Sequence, residues 1–118
     1  HANSPRDALS RIETMVAMAG IELPERAIRE QIASALDVII QVTRLSDGRR
    51  TLVSLQEVTG MEGPVVTTQE IFRFEREGVD DEGRVLGALR PTGVRPRFLD
   101  SFAAAGLTIP AGMFRRAA

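Results

Sequence analysis

The sequence predicts an α/β chain: two helices, a block of three strands containing a hairpin, a short returning strand and a last helix. Three observations carry this. A stretch from Asp37 to Glu75 is rich in Val, Ile, Thr and Phe and is broken only by turn residues. Ahead of it, apolar residues recur at helical spacing behind a capping signal. Behind it, Pro96 and Gly106 bracket a third helical stripe.

The first helix begins at Ser4-Pro5-Arg6-Asp7. Ser4 suits the cap, Pro5 the first helical position, and Asp7 stands three residues after the cap, as in a capping box. Ala8, Leu9, Ile12, Met15, Val16 and Ala19 form the stripe, and Gly20 ends it. Pro24 opens a second helix that runs to about Leu36, with Ile28, Ile32, Ala35 and Leu36 inward.

Three strands follow, at Asp37–Leu45, Thr51–Val58 and Val65–Glu75. Asp47 and Gly48, between the first two, tolerate positive φ, so these strands form an antiparallel hairpin. Val38, Ile40 and Val42 share one face, while Ile39, Gln41, Thr43 and Leu45 share the other. Its nearly continuous apolar start predicts a strand covered on both faces and joined to a larger sheet. The more alternating later strands are expected nearer an edge. Gly60–Pro64 reads as a plain turn, and Arg84–Leu89 as a short strand returning after Asp81–Gly83. Arg90–Pro96 has two prolines and no periodicity, hence an extended connector. In the last helix Phe98, Leu99, Phe102 and Ala105 make the buried stripe.

Composition narrows the chemistry. There is no Cys, so disulfides, thiolate nucleophiles and Cys-ligated zinc are excluded. All fifteen basic residues are Arg, which excludes a G-x-x-x-x-G-K-[ST] phosphate loop and a Schiff-base lysine. A net charge of −1, with neither Trp nor Tyr, argues against nucleic acid as a partner. No apolar run reaches the length that spans a bilayer. Ser4, Ser10 and Ser101 have no motif-placed His to activate them, and Asp80-Asp81-Glu82 lacks calcium-loop spacing.

His1 is the only histidine. Read on residues alone, it is a disordered end or a cloning remnant. The arginines are surface solubility and carboxylate pairing on one reading. On the other they contact phosphate or a neighbouring subunit's carboxylates, where the guanidinium fork works well. Arg6, Arg11, Arg49 and Arg50 are the candidates for a subunit interface.

The ordered run from His1-Ala2-Asn3-Ser4-Pro5-Arg6-Asp7 through Leu23-Pro24, Glu57-Val58-Thr59-Gly60-Met61-Glu62-Gly63 and Arg90-Pro91-Thr92-Gly93-Val94-Arg95-Pro96 resembles the C-terminal part of the CpaF-type secretion ATPases. These belong to the type II/type IV secretion superfamily that drives Flp (tight-adherence) pilus assembly. The resemblance implies the C-terminal portion of a RecA-like P-loop ATPase core over residues 1–75, with a C-terminal extension over 76–118. It implies that His1 closes a box near the nucleotide phosphates and is catalytic or nucleotide-sensing. It further implies a larger protein that hydrolyses ATP with Mg2+, the phosphate loop lying in a missing N-terminal part. That protein assembles as a homo-hexamer beside an inner-membrane platform protein, in the cytoplasm at the inner membrane. No nucleotide is expected to bind tightly to this chain alone. The competing expectation is a stand-alone interaction or oligomerisation module without catalysis.

Overall fold

Local chemistry sets each element of the computed structural model, which describes residues 1–116. Ser4 caps α1 (Pro5–Met18): its Oγ accepts the Asp7 N–H at 3.0 Å. Asp7 reaches back one residue beyond the capping-box position, accepting the Asn3 N–H at 2.9 Å and the Arg11 Nε–H at 3.0 Å. Those donors, the Asn3 N–H first, hold its carboxyl below the usual range. Pro24 precedes α2 (Glu25–Ala35), whose Ile32 is buried.

Four strands follow as an antiparallel meander in the order β1-β2-β3-β4: β1 (Val38–Arg44), β2 (Arg50–Glu62), β3 (Val65–Val79) and β4 (Val85–Pro91). Parallel neighbours need a crossover of a dozen or more residues. The links 45–49, 63–64 and 80–84 are too short for one. A four-stranded antiparallel sheet with three helices therefore replaces the expected α/β portion of a RecA-like core.

The first turn is a three-residue loop. The Gly48 N–H bonds to the Leu45 carbonyl at 2.9 Å and the Leu45 N–H to the Arg49 carbonyl at 2.8 Å. Gly48 takes the left-handed position at φ 89°, which a side chain would strain. Where a plain turn was expected over Gly60–Pro64, β2 instead runs on to Glu62, which pairs with Val65. Only Gly63 and Pro64 turn the chain. The placement of the later strands also differs from expectation. Consecutive hairpins leave the first strand outermost, so β1 takes an edge and β2 and β3 take the interior.

Adjacent residues of β2 face opposite sides, which divides the molecule into three layers. On one side Val58 and Met61 pack with Leu9, Ile32 and Val66 beneath α1 and α2. On the other, α3 (Phe98–Ala104) and the 3₁₀ turn Ala111–Phe114 bring Phe98 and Phe114 together at a 6.2 Å ring separation, with Phe72 5.7 Å from Phe114. Arg29 of α2 ties three pieces of the first layer: it pairs with Glu13 of α1 and donates to the Pro64 carbonyl at 3.3 Å.

Gly87 of β4 lies hard against β3. A Cβ there would collide with the Glu75 carbonyl oxygen and stand 2.8 Å from Cζ of Phe74. Gly87→Ala is therefore expected to destabilise by about 1–3 kcal/mol, the range for forcing an extra methyl into packed structure. Urea unfolding of both proteins checks it, and an unchanged midpoint would show that β4 moves aside freely.

Candidate functional site

The structure places the candidate residues in three separate regions. His1 is exposed, and the chain just after it is fixed to the sheet: Gln41 Nε2 of β1 donates to the Ala2 carbonyl at 3.0 Å. With the Asn3 N–H bonded to the Asp7 carboxylate and Ser4 Oγ accepting the Asp7 N–H, the Ala2–Ser4 segment is held between α1 and β1 by bonds between side chains and backbone. No contact of the His1 ring supplies a catalytic partner among the described residues.

Arg6 and Arg11, both on α1, separate in role. Arg11 is taken up by Asp7 one turn away. Arg6 borders a cleft of about 290 Å3 between α1, α2 and the β2–β3 turn, with Leu9, Ser10, Arg29, Ile32 and Val65 also in its wall. Glu13 already engages Arg29 there, so one basic wall residue arrives neutralised.

Arg49 and Arg50 lie at the far end of the first hairpin and also diverge. Arg49 donates from Nε to Asp47 at 2.9 Å and from Nη2 to the Val85 carbonyl at 2.7 Å. Asp47 returns the link, accepting the Val85 N–H at 2.9 Å and the Arg49 N–H at 3.0 Å. The first turn is thereby tied to the start of β4 across the intervening strand. These donors, the Arg49 N–H foremost and the Val85 N–H next, lower the Asp47 pKa from 3.8 to about 2. Arg50 instead stands directly across the sheet from Arg44.

The sign of the acid response follows. A depressed carboxylate contributes stability above its unfolded pKa, and that contribution is lost as pH falls toward the folded value. For Asp47 the window runs from about pH 4 down to about pH 2. Asp47→Asn is expected to lower Tm at neutral pH and to flatten the fall of Tm across that window. Parallel acid limbs in the two proteins would show that the link carries no weight.

Glu57 was not singled out by sequence. It is 4% exposed, and its carboxylate accepts from Gln69 Nε2 at 2.7 Å, the Arg97 N–H at 2.8 Å and the Phe98 N–H at 2.7 Å. A carboxylate of β2 thus caps α3 from forty residues away in sequence, which no local signal announces. Arg97 adds a bond from Nη1 to the Thr59 carbonyl at 2.9 Å. The geometry is that of an anchor. Asp80, in the acidic turn, is used by its own loop, accepting the Glu82 and Arg84 N–H groups. Among the described residues no cluster of three acidic or His side chains is placed to hold a metal, and no helix is long and apolar enough to cross a membrane.

No family model matches the chain. It is similar to two proteins of Mycobacterium tuberculosis, from strains CDC 1551 / Oshkosh and ATCC 25618 / H37Rv, each named "Putative conjugal transfer protein". Each is 30% identical over 90 residues, which covers 76% of this chain and 25% of the relative. The chain therefore spans about a quarter of the length of the curated relatives it matches.

Proposed function

We propose that this chain is part of a CpaF-type secretion motor, a larger protein that couples ATP hydrolysis with Mg2+ to transfer across the inner membrane. In that role it contributes His1 and docking surfaces. The likeness to proteins named for conjugal transfer, over most of this chain, is the observation that supports the reading. The bonded Ala2–Ser4 segment, next to His1, suits a histidine whose backbone must stay in one place without a large core around it. Of the four candidate arginines, Arg6 and Arg50 are open to a neighbouring subunit, since Arg11 and Arg49 are engaged within the chain. Without a lysine the chain has no means of cradling a nucleotide's β- and γ-phosphates in the P-loop manner.

A test follows on two proteins. The purified chain is expected to show no ATP turnover above buffer, whereas a longer protein that joins it to a phosphate-loop domain turns ATP over. Turnover by the chain alone, surviving repurification, would sink the reading, and so would an inactive longer protein that folds and binds ATP.

The second reading is a binding module without catalysis. The observation in its favour is shape. The radius of gyration is 17.1 Å, against about 13.5 Å for a compact domain of this length. A longer protein that moves its substrate normally with its ATP site disabled would favour the module.

A further inference from the structure

Two arginines face each other where the fold gives them no reason to. Arg44 of β1 and Arg50 of β2 are directly opposite in register, and both are exposed. Neither makes an ion pair among the described residues, although the chain forms a dozen such pairs elsewhere. Like charges directly opposed across a sheet destabilise it. The bond from the Leu45 N–H to the Arg49 carbonyl makes the next pair, Arg44 and Arg50, a non-hydrogen-bonded one, in which side chains stand closest.

The same alternation turns the main-chain groups of Ile40, Val42 and Arg44 away from β2, along an unpaired sheet edge. Ile40 and Val42 are each 54% exposed and share the face of Arg44. An open strand edge, two exposed apolar side chains and a doubled positive charge thus fall in one line. The other edge differs: β4 ends in Pro91, which has no N–H to offer. The surface total is large, as expected of an elongated sheet with an open edge. The chain exposes 8084 Å2, whereas a folded monomer of its mass exposes about 6,300 Å2.

We propose that β1 is a strand-addition site for an extended segment of another polypeptide whose apolar residues meet Ile40 and Val42 and whose carboxylate neutralises Arg44 and Arg50. A fifth strand places its side chain beside Arg44, with Arg50 one strand spacing further on, so one carboxylate stands within reach of both guanidinium groups. A second copy of this chain does not fit. Antiparallel pairing of β1 with itself, faces matched, offers Arg44 only Val38, Ile40, Val42 or another Arg44. None is acidic.

The probe is a synthetic peptide, Thr-Glu-Thr-Val-Thr-Val-Thr, fluorescently labelled and titrated against the whole chain. Its binding is expected to protect the amides of Ile40, Val42 and Arg44 from hydrogen exchange. Replacing its Glu by Gln should weaken binding about 2- to 5-fold, as a partly exposed ion pair is worth. Arg50→Glu separates binding from folding because the two readouts move in opposite directions. It converts a repulsive cross-strand pair into an attractive one, so Tm should rise while binding of the Glu peptide is lost. Equal binding by the Glu and Gln peptides overturns the charge clamp. Protection confined to the helices, or β1 protection that appears without peptide as a dimer forms, overturns the site or its occupant.

Discussion

Glu57→Leu is expected to destabilise the chain by about 3 kcal/mol, a fall in Tm on the order of 10 °C, because three donors lose their acceptor at once. The Arg97 and Phe98 N–H groups are the open donors at the start of α3, and Gln69 loses its bond too. Nothing else on α3 compensates strongly, since none of its own residues is buried. The loss should therefore be uneven: α3 amides exchange faster than those of α1 in the variant. Glu57→Gln, which keeps one acceptor oxygen, should fall between. Chemical denaturation with residue-resolved exchange measures both. A Glu57→Leu protein within about 0.5 kcal/mol of wild type, as for an ordinary surface change, would show that α3 is held by its phenylalanines alone.

In the longer protein proposed above, His1→Ala is expected to reduce kcat by roughly 10- to 1000-fold with little change in nucleotide affinity, as for one lost transition-state donor. The reason is placement. The segment after His1 is held by Gln41 and by the Ser4 cap rather than by the ring, so removing the ring leaves the scaffold intact. Ser4→Ala should lower activity indirectly, by loosening that scaffold. If His1 serves only folding, His1→Ala lowers Tm and leaves turnover per folded molecule unchanged. Steady-state rate and melting temperature on one preparation separate the two, and unchanged turnover overturns the catalytic role.

Much of the local structure was legible because its causes are local. Ser4 and Asp7 announce α1, Gly48 announces the first turn, and Pro96 and Gly106 bound the last helix within a few residues. Apart from the turn expected over Gly60–Pro64, what misled was a global frame laid over sound local signals. The resemblance implied a RecA-like core, while hairpins were already readable at Asp47-Gly48 and Asp81–Gly83. Links that short permit antiparallel neighbours only. Glu57 and the Arg44–Arg50 pair were hidden for another reason. Glu57 works through a partner forty residues on, and the opposition of the two arginines is set by the three-residue loop that places Leu45 across from Arg49, which extends the second strand to Arg50, one residue before its expected start at Thr51.

The meander has a kinetic side. Every strand pairs only with its neighbour in sequence, so each step of sheet formation closes a loop of a few residues at small entropic cost. Such a chain folds fast for a β protein, zipping from any hairpin outward. It could as easily unzip one strand at a time, much as a linear array of repeats frays from its ends. Three ties run across that order: Gln41 to Ala2, Asp47 and Arg49 to Val85, and Glu57 to Arg97 and Phe98. Each spans more than thirty residues of sequence and forms only after its strands are in register. They couple the separate zippers, so the ends of the array come undone together with its middle or not at all.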